Sequence, residues 1–210
     1  MADLKSMAEA LIRGDRNAVA EQTKQAIADG VSPAEILGDG LIAGMNVVGE
    51  RFKNNEIYVP EVLIAARAMK GGMEILAPEL EAAGVKPAGT VVLGTVKGDL
   101  HDIGKNLVGM MLTGGGLKVV DIGTDVSPEK FAETCQAEGA EVCALSALLT
   151  TTMPQMTETI KAIKAAGVEA KVVIGGAPVT QSFADEIGAD GYAADAATAV
   201  DVVKGMLGAA

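Results

Sequence analysis

Residues 98–106 read GDLHDIGKN, and His101 within them is the only histidine of 210 residues. It lies between two acids, Asp99 and Asp102, and between two glycines, Gly98 and Gly104. A metal held by side chains alone needs three or four donors. One histidine and the two cysteines, Cys135 and Cys143, do not supply such a set, and no CxxC or Cys/His spacing is present. A metal that brings most of its own ligands poses a smaller demand. A tetrapyrrole supplies its equatorial nitrogens itself, and the protein adds one axial donor. A single imidazole on a glycine-flexed loop suits that task. Asp99, two residues earlier, is placed to accept a hydrogen bond from the second ring nitrogen, which fixes the tautomer and raises the basicity of the ligand.

The elements that must position this loop fall into two halves. Up to residue 85 the apolar spacing is helical. DLKSMAEALIRG carries Leu4, Met7, Leu11 and Ile12 on one face. DRNAVAEQTKQAIADG opens at the N-cap candidate Asp15 and closes at Gly30. SPAEIL opens a third helix with Ser32, Pro33 and Glu35, a capping box with proline at the first helical position. VPEVLIAARAMKGGMEILAPEL is the fourth. Its Gly71 and Gly72 loosen it, each by about 1 kcal/mol relative to alanine. A four-helix bundle over residues 1–85 follows. GVKPAG, residues 84–89, reads as a linker.

From residue 90 to 210 short apolar runs (TVVLGTV, LKVVDIG, EVCALSAL, AKVVIGGA, DGYAA) alternate with helical stretches. This is the pattern of an α/β domain: a five-stranded parallel sheet, doubly wound and Rossmann- or flavodoxin-like, with expected strand order 2-1-3-4-5. Ligands of such sheets sit beyond the carboxyl ends of the strands, at the switch between the first and third. Three loops should share that edge: KGDLHDIG, SALLTTTM and GGAPVT. A dinucleotide fold needs G-x-G-x-x-G there, and Gly94, Gly98 and Gly104 have the wrong spacing. No P-loop occurs. A phospho-accepting receiver needs an aspartate at the end of strand 3, where this chain has Ser146 and Leu148.

Composition narrows the partners. The net charge is -11 and Lys/Arg residues do not cluster, which argues against nucleic acid or an anionic membrane surface. The amphipathic, charged N-terminus is unlike a signal peptide, no apolar run reaches the ~18 residues of a membrane span, and two unpaired thiols suit a reducing cytoplasm.

Together these residues resemble the cobalamin-binding domains. Asp99, His101 and Gly104 match D-x-H-x-x-G, Ser146 and Leu148 match S-x-L, and Gly175 and Gly176 match G-G, in the family's order and spacing. A helical bundle ahead of this domain is similar to the cobalamin-binding region of methionine synthase and to the free-standing corrinoid proteins of methyltransferase systems in anaerobes. No substrate barrel, activation domain or DNA-binding helix is expected beside it. The resemblance implies cobalamin or a related corrinoid bound base-off and His-on, with His101 as the lower ligand of cobalt in place of the cofactor's own base. It implies that Leu100, Asp102 and Ile103 join Gly98, Asp99, His101 and Gly104 in the binding loop. The nucleotide tail is expected in a slot lined by Ser146, Leu148, Gly175 and Gly176, near Tyr192 and Ala193. Thr150 matches a further corrin-contacting hydroxyl. Thr152 takes the place of the serine that extends the family's histidine–aspartate pair. GMNVVGERF and YVPEVL resemble the two signature segments of the family's cap, which makes Met45, Val48 and Tyr58 candidates for the surface that covers the cofactor.

The function so implied is a methyl carrier that is no enzyme on its own. A substrate-specific methyltransferase loads cobalt, and a second, corrinoid-dependent methyltransferase unloads it to folate or a thiol coenzyme. A reductive activating protein maintains the cofactor. His101 would bind and release once per cycle while Asp99 and Thr152 buffer the proton, and the bundle would move about residues 84–89. Two alternatives stand: a corrinoid sensor or storage module, and the small subunit of a B12-dependent mutase.

Overall fold

The computed structural model describes residues 3–208. It divides into two compact units. One holds the chain through Pro87 together with Thr113–Gly116; the other holds Ala88–Leu112 and the chain from Leu117 onward.

The first unit is built of helices with identifiable caps. Asp3 accepts the Ser6 N–H at 3.0 Å and starts α1 (Leu4–Ile12); Asp15 accepts the Ala18 N–H at 3.0 Å and starts α2 (Arg16–Ala28). The third helical arm opens with α3 (Pro33–Glu35), where Ser32 and Glu35 form the capping box. It continues through a π-helical segment, Ile36–Ile42, into α4 (Ala43–Lys53). Spacing alone gave no sign of the π segment, because one extra residue per turn leaves the residue types unchanged. The long α5 (Val59–Ala82) completes the unit. Gly71 and Gly72 act here as points of close approach. A Cβ on Gly72 would lie 2.9 Å from Leu41 and 3.0 Å from Val19, and one on Gly71 would lie 2.8 Å from Arg16. Their small size admits the neighbouring helical arms, so the cost in helix propensity is repaid as packing.

The second unit is a five-stranded, all-parallel sheet in the order β2-β1-β3-β4-β5. Its strands are β1 (Thr90–Thr95), β2 (Lys118–Asp121), β3 (Val142–Ser146), β4 (Lys171–Gly175) and β5 (Gly191–Ala193). Between and after them run α6 (Ile103–Gly114), α7 (Pro128–Glu138), α8 (Pro154–Ala165), α9 (Gln181–Ile187) and α10 (Ala196–Leu207). Register matters for function. Thr95 pairs with Ser146, Ser146 with Gly175, and Gly175 with Ala193. The last residues of four strands therefore stand in one row, and the loops that follow them leave from one edge.

The core behind that edge is mostly aliphatic, and Phe131 is its fully buried aromatic residue. Gly94, inside β1, makes room for it: a Cβ there would lie 2.8 Å from the Phe131 ring. Cys135 and Cys143 are buried free thiols in the same core. No helix among the described residues is long and apolar enough to cross a membrane.

Candidate functional site

β1 ends at Thr95 and α6 begins at Ile103; the turn between them carries His101. Gly98 has φ +82°, a left-handed backbone that explains glycine at this position. The next residue, Asp99, is completely buried. Five donors converge on its carboxylate. Oδ1 accepts the His101 ring Nδ1 at 2.7 Å and the His101 backbone N–H at 3.1 Å. Oδ2 accepts the N–H groups of Leu148 at 2.8 Å and Leu149 at 3.3 Å, and the Thr152 hydroxyl at 2.8 Å. Burial by itself raises the pKa of a carboxyl group. Here the donors, led by the Leu148 N–H and the two His101 groups, outweigh it and hold Asp99 well below the usual carboxylate range.

An ionised Asp99 only accepts hydrogen bonds, so Nδ1 of His101 must carry the proton in this contact. In the neutral ring, Nε2 then keeps its lone pair. The His101 side chain is half exposed, so one nitrogen is pinned inward while the ring remains accessible. Two further contacts hold the turn. Thr95 donates its hydroxyl to the His101 carbonyl at 2.9 Å, and the Gly98 N–H donates to Asp125 Oδ1 at 2.7 Å. Neither Thr95 nor Asp125 stood out in the sequence, and Leu149 contributes through its backbone, which no side chain betrays. Lys105 was missed as well: nearly fully buried in the first turn of α6, it pairs with Asp121 at the end of β2 and donates to Asn106 Oδ1 at 2.8 Å.

The structure brings Asp99, His101, Leu148 and Thr152 into one hydrogen-bonded group. Thr152 directs its methyl group toward Gly98, where a Cβ would lie 3.7 Å from Cγ2. Asp102 is exposed and accepts the Asn106 side chain at 3.0 Å. Ser146 is half-buried at the end of β3 and Thr150 is exposed in the following loop. Gly175 and Gly176 are dictated by neighbouring backbone. A Cβ on Gly175 would lie 3.0 Å from the Ala193 carbonyl oxygen; one on Gly176, at φ +132°, would lie 1.9 Å from that of Ala147. Tyr192 packs partly buried against the core, and Ala193 is buried. In the helical unit Met45 and Val48 are buried, and Tyr58 is 66 % exposed at the start of α5.

Does this edge fit a corrinoid? Its donor set is one imidazole with one free nitrogen, which is the share of ligands a macrocycle leaves to the protein. Apolar side chains stand exposed in the same loops: Leu100 at 72 %, Ile103 at 80 %, Leu148 at 42 % and Leu149 at 41 %. Exposed apolar clusters of this kind mark ligand or partner surfaces. A Cβ at Gly104, in the first turn of α6, would meet nothing within 4 Å. Free donor, apolar platform and open space together fit the group. The residues that would hold it are His101 at cobalt and the loops carrying Leu100, Ile103, Leu148 and Leu149 beside it.

Comparison with known proteins points the same way. Residues 89–201 match the family model described as B12 binding domain, and residues 4–77 match a second model of the same description. A corrinoid protein of Desulfitobacterium hafniense is 42 % identical over 99 % of both chains. The trimethylamine corrinoid protein 2 of Methanosarcina mazei is 45 % identical over 92 % of this chain and 90 % of its own. Among solved structures, a cobalamin-binding protein from Desulfitobacterium hafniense superposes with a TM-score of 0.81 at 32 % identity, covering 98 % of this chain and 99 % of that one. The methanol:cobalamin methyltransferase complex of Methanosarcina barkeri contains a chain that superposes with a TM-score of 0.85 at 33 % identity, over 97 % of this chain and 79 % of that one. The chain belongs to the B12-binding corrinoid proteins, and its cofactor is cobalamin or a related corrinoid.

Proposed function

We propose that the protein carries a methyl group on corrinoid cobalt from a substrate-specific methyltransferase to a second methyltransferase, which passes it to a folate or a thiol coenzyme. The observation that carries this reading is the state of His101: Nδ1 held at 2.7 Å by a buried, ionised Asp99, and the ring otherwise accessible. The cofactor, when bound, supplies a cobalt centre able to accept and release a methyl group. The chain's own residues do the rest. His101 would hold the metal through Nε2, in place of the cofactor's own base. Asp99 keeps the proton on Nδ1 and orients the ring, and Thr152 with the Leu148 N–H keeps Asp99 ionised. The Nδ1 contact to Asp99 leaves Nε2 as the ring nitrogen that would hold the metal.

The remaining site residues belong to the same reading. Gly98, Leu100, Asp102, Ile103 and Gly104 would join His101 in the loop that holds the cofactor. Ser146, Leu148, Gly175 and Gly176 would line the slot for the nucleotide tail, near Tyr192 and Ala193, and the Thr150 hydroxyl would contact the corrin. In the helical unit Tyr58 is the exposed one of the three cap candidates, with Met45 and Val48 packed behind the surface. Relatives named for trimethylamine and dimethylamine make methylated amines the donor class to test first. A reductive activating protein completes the partners.

Transfer assays separate this reading from a sensor or storage module. Protein loaded with the methylated cofactor should lose the methyl group to a thiol coenzyme or folate when a cognate second methyltransferase is added, and the visible spectrum should follow the loss. Retention of the methyl group with every candidate partner would favour storage. Support of a radical rearrangement with adenosylcobalamin would favour the mutase subunit.

A further inference from the structure

Asp125 lies in the loop between β2 and α7, with its side chain exposed. It is one of two non-glycine residues with positive φ among the described residues, at +55°. A short polar side chain tolerates that conformation better than most, yet glycine would adopt it without strain. Strain retained at a position suggests that its side chain does something glycine cannot.

Its contacts all go to the turn that carries His101. Oδ1 accepts the Gly98 N–H at 2.7 Å, and its own N–H donates to the Asp99 carbonyl at 2.9 Å. The next residue, Val126, donates its N–H to the Thr95 carbonyl at 3.0 Å. One short segment thus grips the turn at Thr95, Gly98 and Asp99, and the Thr95 hydroxyl adds a grip at the His101 carbonyl. None of these contacts is made by the Asp99 side chain. They fix the backbone from which both Asp99 and His101 project.

We propose that Asp125 is a positioning residue for the lower ligand. It holds the Gly98–Asp99 backbone so that the imidazole is presented at the metal without the turn having to be ordered on binding. The inference rests on His101 being that ligand. Metal–nitrogen bonds tolerate only about 0.2 Å of error, so a turn free to shift must be immobilised at the expense of affinity. The left-handed backbone aims the carboxylate at Gly98 N–H; the side chain then supplies an acceptor that no backbone group provides.

Three variants test it by hydroxocobalamin titration of the full chain, read by visible spectrum and dissociation constant. Asp125→Gly removes the acceptor and relieves the strained φ. It should weaken binding about tenfold and move the spectrum toward that of His101→Ala. Asp125→Asn keeps an oxygen acceptor in a residue that also tolerates positive φ, and should stay within about twofold of wild type. Wild-type affinity and spectrum in Asp125→Gly would overturn the proposal, as would failure of Asp125→Asn to rescue. His101→Ala with a wild-type spectrum would instead overturn the ligand assignment on which the proposal rests.

Discussion

The Thr152 hydroxyl reaches Asp99 Oδ2 at 2.8 Å across 53 residues of sequence. It joins the loop after β3 to the turn after β1, and so couples the S-x-L and D-x-H-x-x-G segments through one proton. The same hydroxyl lies 2.9 Å from the Leu149 carbonyl, but it has a single proton and the buried carboxylate is the stronger acceptor.

Removing that hydroxyl should therefore be felt in the protein without cofactor. Thr152→Val keeps the shape and leaves Asp99 short of a donor, for an expected loss of about 2 kcal/mol in urea unfolding. Thr152→Ser should fall within about 1 kcal/mol of wild type. Equal stability of the valine variant would show that the hydrogen bond is dispensable.

Asp99 predicts a sign for acid sensitivity. Its pKa is lowered in the folded chain and returns to about 3.9 on unfolding. Below that value the unfolded chain binds a proton that the folded chain refuses, so stability rises with pH in this range. The contribution is full above about pH 5 and is lost as pH falls toward the folded value. Asp99→Asn should be less stable near neutral pH, and its unfolding free energy should fall less steeply between pH 4 and 2. A variant with the wild-type slope would place the titrating group elsewhere.

Two glycines of the same edge should respond oppositely to alanine. Gly176→Ala sets a Cβ 1.9 Å from the Ala147 oxygen at φ +132°, and should destabilise by about 3 kcal/mol. Gly104→Ala meets nothing and lies in the first turn of α6, so thermal unfolding should be unchanged or raised by a few tenths of a kcal/mol. Its effect should appear in hydroxocobalamin affinity, because the added methyl enters the space at the edge of the site.

The apolar platform can be tested without touching the core. Leu100 and Ile103 are 72 % and 80 % exposed, so replacing both with serine should alter apo stability by less than about 0.5 kcal/mol. If a macrocycle covers them, equilibrium dialysis should show corrinoid binding weakened at least tenfold, from lost apolar burial of about 1–2 kcal/mol per side chain. Unchanged affinity would mean that this surface serves a partner protein.

Much of this edge was legible in the sequence, for physical reasons. Parallel strands between helices, with right-handed crossovers, leave few topologies, and the order expected among them, 2-1-3-4-5, is the one the sheet adopts. His101 and Asp99 were legible because their side chains carry the chemistry. What stayed hidden works through backbone or conformation. Leu149 donates an N–H, Asp125 depends on a left-handed φ, and the π segment at Ile36–Ile42 adds a residue to a helix without changing its composition. Gly71 and Gly72 were read as weakness in α5 because a sequence does not display the side chains that pack against them.

The lower ligand can be identified directly because the chain has one histidine. Protein labelled with 15N-histidine, reconstituted with unlabelled cobalamin and reduced to cobalt(II), can be read by electron paramagnetic resonance. Coordination through His101 predicts that each cobalt line is split into a doublet by the 15N nucleus, against a triplet in unlabelled protein. A triplet that persists in the labelled protein would mean that the cofactor's own base still holds the metal, and would contradict His101 as the ligand.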